Sequence, residues 1–231
     1  IDASARRILR IKAKAGLRTG RLVDLNAIDT IVNVPARTKV ATEVAEKSIT
    51  LARDDVGLVP LPRDARRILS ITYADNSDLP AGRVFNQELP RGGFNVSTAR
   101  VDARTTPAEF DALRARADSV DVIVASAYVF PVNGRGSIGT DAGFAGFLEQ
   151  LAASKKKVVA ISFGSPYLVG AFPSVPAYLL AWGGAPVSQR AAASALLGEI
   201  AIGGRLPISI PPWFKENTGI DRAATKTRAG R

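Results

Sequence analysis

Residues 120–127, Val-Asp-Val-Ile-Val-Ala-Ser-Ala, decide the fold, because every side chain in the run except Asp121 and Ser126 is apolar. An apolar run of this length without alternation is typical of a strand that is covered on both faces. Two similar runs follow at residues 157–163 and 177–182. Because strands buried on both faces belong to parallel sheets, the sequence predicts a parallel sheet at the centre of the molecule.

Helix signals alternate with these strands. Thr106 and Glu109 form a capping box around Pro107, and Asp141 can cap a helix whose apolar residues have helical spacing. Pro186 opens a third, alanine-rich helix. This alternation predicts an α/β fold, a three-layer sandwich with a mostly parallel sheet, helices on both faces and right-handed crossovers.

The N-terminal half adds elements before the central run. Residues 2–15 predict a basic helix, residues 17–37 a connector, and residues 41–52 a helix with one small apolar face. The β-rich runs at residues 68–73 and 94–101 add two strands to the sheet.

The C-terminal residues predict less regular structure. Residues 204–211 are extended and braced by prolines, which is typical of a sheet edge or a strap on the surface. The residues from Asp221 onward are polar and basic, and we expect a flexible tail.

The composition excludes several classes of function. The chain has 231 residues and neither histidine nor cysteine, so it has no Ser-His-Asp triad, thiol nucleophile or imidazole metal site, and we expect no metal and no cofactor. The net charge of +10 lies on the terminal arms, and residues 22–221 are neutral. A nucleic-acid-binding body would carry that charge itself, so we expect no nucleic-acid partner. No apolar run approaches the ~20 residues that span a membrane, and we expect no membrane partner.

A glycine-rich loop raises an alternative. Residues 134–139, Gly-Arg-Gly-Ser-Ile-Gly, match G-x-G-x-x-G between a predicted strand and a helix, as in a nucleotide- or anion-binding module. Two features oppose this interpretation. Residues 129–133 separate the strand from the first glycine, where a nucleotide-binding fold has a tight turn. No acidic residue between Glu149 and Glu199 could bind a ribose hydroxyl.

Several stretches together resemble the C-terminal domain of glycoside hydrolase family 3, and they occur in the family's order. These stretches are residues 1–12 (the helix that leaves the family's catalytic barrel), 46–52 and 58–61 (the entry to its second domain), 162–167 and 176–182 (core strands), and 203–211 (its closing G-x-L-P-x-S-x-P). The resemblance implies that residues 38–220 form a sandwich domain. It also implies that residues 1–37 are the exit helix and linker of a (β/α)₈ barrel, and that residues 221–231 are a basic flexible tail.

The resemblance also implies a division of labour between two domains. The barrel would hold the nucleophilic Asp and would be the partner of this chain, with a carbohydrate as substrate. Many family members supply a Glu acid/base from a loop after the third strand, but residues 128–136 here contain no carboxylate. We therefore expect no catalytic residue from this chain. This departure resembles the family's β-N-acetylglucosaminidase branch, where a His–Asp pair on the barrel does that work. The resemblance favours a periplasmic or secreted bacterial protein, while the sequence itself leaves the compartment open.

Asn133 and Arg135 are the candidate substrate-binding residues. They lie in a loop that follows a parallel strand, where α/β sheets present groups to ligands. Both side chains can donate hydrogen bonds to sugar hydroxyls or to an acetamido carbonyl. The resemblance implies the C-terminal domain of a retaining β-glycosidase that braces the barrel and supplies one rim of its pocket. The chain alone would be inactive. A nucleotide- or anion-binding module and a purely structural domain are the alternatives.

Overall fold

The structure, a computed structural model, describes residues 1–32, 34–132 and 138–225. The chain separates into two units, Ile1–Val40 and Ala41–Arg231. The first unit contains helix α1 (Asp2–Lys14), α2 (Ile28–Ile31) and the start of α3 (Pro35–Ser48). Helix α1 has an acidic first turn and a basic last turn, which suits the helix dipole, and none of its side chains is buried. No helix in the described ranges is long and apolar enough to cross a membrane.

The second unit is built on one sheet. Its strands are β1 (Thr50–Asp54), β2 (Arg67–Ala74), β3 (Asn95–Val101), β4 (Val122–Tyr128), β5 (Val158–Ser162) and β6 (Ala177–Leu180). Within the described residues they form a six-stranded sheet in the order β1-β6-β5-β4-β2-β3. All neighbouring pairs are parallel except β1 and β6, which confirms the mostly parallel sheet.

Helices cover both faces of the sheet. They are α4 (Arg83–Glu88), α5 (Pro107–Asp118), α6 (Ala142–Ala153) and α7 (Pro186–Leu196). Phe85 of α4 and Leu196 of α7 belong to the apolar core on one face, and Phe110 of α5 and Phe144 of α6 to the core on the other. The chain steps from β2 to β3 in one direction and returns past β2 to β4. Because crossovers keep one hand, the intervening helices α4 and α5 lie on opposite faces. The predicted three-layer α/β sandwich is confirmed.

The predicted helix starts were also right. The Thr106 hydroxyl accepts a bond from the amide of Glu109, whose carboxylate accepts from the Thr106 amide, so the capping box is complete. Asp141 caps α6. The alanine-rich helix begins at Pro186 and is followed by Gly198, whose φ of +72° is the left-handed conformation that glycine adopts without strain.

The helix predicted over residues 41–52 was wrong in its last four residues. Helix α3 ends at Ser48, and the chain enters β1 two residues later. The helical spacing of apolar residues continues through Ile49, but Ile49 and Leu51 are fully buried next to β6. Pairing of Thr50 with Leu180, which lies far along the chain, overrides the local periodicity.

The segment after Ile202 runs as a strap along the free edge of β1. The amides of Gly204 and Ile220 donate to the carbonyl oxygens of Ile49 and Leu51 at 3.1 and 2.8 Å. This placement agrees with the expected edge strand or strap.

The start of the predicted flexible tail is held to this body. Arg222 exchanges two backbone hydrogen bonds with Ile202 and forms an ion pair with Asp54, and the Thr225 amide donates to Gly198 O at 2.8 Å. The expectation of flexibility from residue 221 is therefore corrected for residues 221–225. Residues 226–231 lie outside the described residues.

Candidate functional site

A cleft of about 780 Å³ opens at the carboxyl edge of the parallel strands. Its walls are the loops that follow β2, β3 and β4, and its lining includes Tyr73, Asp75, Asn76, Ser77, Asp78, Asp102, Arg104, Phe130, Val132, Gly139 and Asp141. The helices that follow β2 and β4 leave the sheet on opposite faces. A crevice therefore opens between these two loops, at the point where the strand order reverses, and this is where open α/β sheets bind ligands.

The loop after β4 contains the predicted substrate-binding residues. Asn133 and Arg135 lie outside the described residues, so their role stays a prediction. The residues on either side are described, and Val132 and Gly139 both line the cleft. The described residues on both sides of the predicted site therefore lie at the cleft.

Asp141 closes this loop and fixes the start of α6. Its Oδ1 accepts hydrogen bonds from the amides of Gly143 and Phe144 at 2.8 and 3.1 Å, and its own amide donates to the Tyr73 hydroxyl at 3.1 Å. Burial raises the pKa of Tyr73, which keeps the phenol neutral. Oδ2 of Asp141 and Oγ1 of Thr140 are buried without a hydrogen-bond partner within the described residues. Asp141 thus has a capping role, in which Oδ1 accepts from two amides and Oδ2 is buried.

The same geometry opposes the nucleotide-binding alternative. A phosphate in such a fold binds the free amides at the N-terminus of the helix that follows the glycine loop. In α6 the amides of Gly143 and Phe144 already bond to the carboxylate of Asp141. A phosphate would have to displace a like-charged group from that position.

The loop after β3 contributes an ion pair to the cleft. A guanidinium nitrogen of Arg104 donates to Asp102 Oδ2 at 2.9 Å, and the Arg104 amide donates to Oδ1 at 2.8 Å. These bonds lower the pKa of Asp102. A general acid needs a raised pKa, so Asp102 is suited to accept hydrogen bonds and not to donate a proton to a leaving group.

The loop after β2 forms the wall opposite the loop after β4. Our sequence analysis predicted neither this wall nor Asp102 as part of the site. Asp75 and Asp102 directly follow the ends of β2 and β3. Polar residues placed immediately after buried strands converge at one edge of a parallel sheet, and this signal could have found them. In the described part of the chain no group of three or more Asp, Glu, His or Cys side chains is placed to hold a metal ion.

Among its described residues the cleft offers groups for binding a ligand, and none of them is marked as catalytic. Asn76, Ser77 and Arg104 are exposed polar residues along its walls, and Phe130 adds an aromatic ring that is 37% exposed. Amide, hydroxyl and carboxylate groups beside an exposed aromatic ring form a set that can recognise a neutral ligand rich in hydroxyl groups.

Solved structures similar to this chain are glycoside-processing enzymes. A glycoside hydrolase family 3 β-N-acetylglucosaminidase from Paenibacillus sp. strain FPU-7 has 23% identity and a TM-score of 0.68 over 87% of this chain and 38% of its own. A β-glucosidase from Erythrobacter marinus has 22% identity and a TM-score of 0.69 over 89% and 34%. A β-glucosidase from Listeria innocua has 21% identity and a TM-score of 0.69 over 89% and 32%. At these identities the likeness establishes the fold.

This chain spans about a third of the length of those structures. No curated protein matches it. The family model of the glycosyl hydrolase family 3 C-terminal domain matches residues 49–229, which include every strand of the sheet described above. The chain therefore belongs to the glycosyl hydrolase family 3 C-terminal domain family.

Proposed function

We propose that this chain is the second domain of a retaining β-glycosidase whose reacting carboxylates lie on a separate (β/α)₈ barrel. Residues 1–37 would be the exit helix and linker of that barrel, and the cleft would form one rim of its substrate pocket. The observation that carries the proposal is the position of the cleft. It lies where the strand order reverses, and both flanks of the loop with Asn133 and Arg135 line it.

The hydrogen bonds of the aspartates in the cleft and the lowered pKa of Asp102 disfavour catalysis by the chain alone. A retaining glycosidase needs a nucleophilic carboxylate and a second carboxyl group with a raised pKa as the acid. Four aspartates line the cleft. The pKa of Asp102 is lowered by Arg104, and Asp141 is occupied as a helix cap. Asp75 accepts two bonds from Ser77. Asp78 alone would not make the pair of carboxyl groups that a retaining mechanism needs. We therefore assign this chain a binding and bracing role, and we assign the displacement chemistry to the barrel.

We further propose that the substrate is a β-N-acetylglucosaminide. Residues 128–136 contain no carboxylate that could act as an acid/base, yet Asn133 and Arg135 could donate to the acetamido carbonyl. The chain is similar to both a β-N-acetylglucosaminidase and β-glucosidases, so the preferred sugar has to be tested directly. The complete enzyme should have a higher kcat/KM for an aryl β-N-acetylglucosaminide than for the matching aryl β-glucoside. The reverse order would contradict the assigned sugar and leave the glycosidase role intact.

The role of the loop is tested by Arg135→Ala in the complete enzyme. We expect KM to rise or kcat to fall tenfold or more, which corresponds to about 1.4 kcal/mol of transition-state binding. Arg66→Ala is the matched control, because Arg66 is an exposed arginine at the opposite edge of the sheet. Wild-type kinetics in Arg135→Ala would remove the loop from the site and favour a purely structural domain.

The isolated chain provides a second test. Incubated with chromogenic β-glycosides, it should release no aglycone above the rate of the buffer alone. Turnover that survives repurification would mean that the chain holds its own pair of reacting carboxylates.

A further inference from the structure

The loop that connects β2 to α4, residues 75–82, is fixed by its own hydrogen bonds. Asp75 Oδ1 accepts from the amide and the hydroxyl of Ser77 at 2.9 and 2.6 Å. The Asp78 amide donates to Asp75 O at 3.0 Å, and the Ala81 amide donates to Asp78 O at 3.2 Å. The loop closes at Gly82 with a φ of +75°, where a Cβ atom would lie 2.4 Å from Thr72 Oγ1. These constraints define one conformation for this wall of the cleft.

Arg100 ties this loop to the sheet. Its guanidinium donates to three carbonyl oxygens of the loop, those of Asp75, Asp78 and Ala81, at 3.0, 2.7 and 3.2 Å. The planar fork of an arginine suits such a set of acceptors, and a lysine ammonium cannot reproduce its geometry. Arg100 belongs to β3, so a neighbouring strand sets the position of the loop.

Two side chains of the loop take no part in this scaffold. Asn76 and Asp78 both line the cleft, and no hydrogen bond of either side chain is found within the described residues. An amide both donates and accepts, and a carboxylate accepts strongly, so the two together match the hydroxyl groups of a sugar. Because the backbone that carries them is already fixed, binding has only the rotamers of these two side chains left to order.

We infer that Asn76 and Asp78 contact the hydroxyl groups of the carbohydrate substrate, and that Arg100 is the positioning residue that holds them at the rim. This inference rests on the proposed function. It adds a second wall, contributed by the β2–α4 loop, to the rim predicted from Asn133 and Arg135. It also places the determinants of sugar recognition on two loops that follow neighbouring strands.

The test is steady-state kinetics of the complete enzyme with its best aryl β-glycoside. Asn76→Ala should raise KM about threefold to tenfold, and Asp78→Ala should raise it about tenfold or more, since bonds to a charged group are the stronger. Gln87→Ala is the matched control, because Gln87 on α4 is an exposed amide outside the cleft lining, without a hydrogen bond in the described chain. The thermal midpoints of all three variants should stay within ~2 °C of wild type, as for surface substitutions generally.

A double-mutant cycle separates positioning from a structural role. Arg100→Lys should raise KM in the wild-type background but add less than about twofold when Asn76 and Asp78 are already alanine, because it acts through them. An undiminished effect of Arg100→Lys in that background would overturn its positioning role. The contacts of Asn76 and Asp78 would be refuted if both alanine variants had the kinetics of Gln87→Ala. If Arg135→Ala were still impaired in that case, the proposed function would stand. An inactive wild-type enzyme would instead refute the proposed function.

Discussion

Substitution of Arg222 by alanine tests whether the C-terminal strap is part of the fold. The Asp54 side chain is 0% exposed and accepts hydrogen bonds from the amides of Leu58 and Val59 at 2.7 and 3.3 Å. Arg222 supplies its counter-charge through Nη2 at 2.9 Å, and Arg222 Nε donates to Val59 O at 3.0 Å. Without Arg222 the carboxylate remains buried with two amides but no cation.

The size of the effect follows from this geometry. Removing one partner of a buried ion pair costs about 3–5 kcal/mol, and we take the lower end because Arg222 itself is 29% exposed. A loss of about 3 kcal/mol should lower the thermal midpoint by ~6–12 °C in a domain of this size. Urea unfolding followed by circular dichroism would measure the free energy, with an m-value unchanged from wild type.

A neighbouring ion pair provides the control. Asp221 precedes Arg222 and pairs with Arg205 at 2.7 Å, but the two side chains are 71% and 38% exposed. Exposed pairs contribute little, so Asp221→Ala should leave the unfolding free energy nearly unchanged. If Arg222→Ala were as stable as Asp221→Ala, the strap would not be anchored as described, and residues 221–225 would belong to a flexible tail after all.

Three other substitutions test the core, the loop and the response to acid. Phe144→Ala, which removes a fully buried ring stacked on Tyr73 at 4.7 Å, should destabilise the domain by about 3–5 kcal/mol in urea; a loss below 1 kcal/mol would contradict this packing. Gly164→Ala would place a Cβ atom 2.0 Å from Val129 O, so we expect the loop after β4 to shift and KM of the complete enzyme to rise, and an unchanged KM would argue against this coupling. Two backbone amides at the start of β2 lower the pKa of Asp121, so its carboxylate stabilises the fold above pH ~4 and loses that contribution as the pH falls. The thermal midpoint of Asp121→Asn should therefore vary less between pH 5 and pH 2 than that of wild type, and an equal slope would refute the role of Asp121.

The elements that were predicted correctly depend on short-range chemistry. Strand β4 was recognisable because its side chains are apolar on both faces, and the start of α5 because Thr106 and Glu109 satisfy each other's amides. The two errors concern long-range contacts. Strand β1 depends on β6, and the anchoring of residues 221–225 depends on an ion pair between residues 168 positions apart. Nothing in the local sequence around Thr50 or Arg222 encodes either partner.

The candidate site was predictable only where it depends on local sequence. The loop after β4 could be assigned to the carboxyl edge because it follows a parallel strand. The wall formed by the β2–α4 loop depends on the sheet order, in which β2 lies next to β4 although β3 intervenes in the sequence. Strand order is a property of the whole chain, so Asn76 and Asp78 could not be placed beside the loop after β4 from local patterns.

The two edges of the sheet treat their polar groups differently, and this difference explains where a ligand can bind. At the amino edge the carboxylates bind structural partners: Asp121 accepts from two amides, Asp118 pairs with Lys156, and Asp54 pairs with Arg222. At the carboxyl edge the Arg100 guanidinium donates to backbone carbonyls. The side chains of Asn76 and Asp78 have no hydrogen bond in the described chain. Asp102 and Asp141 at this edge are bonded as well, but Asn76 and Asp78 stand on a fixed loop and can exchange their bonds to water for bonds to a ligand. The hydroxyl groups of a sugar would make those bonds, on the edge that carries the loop with Arg135.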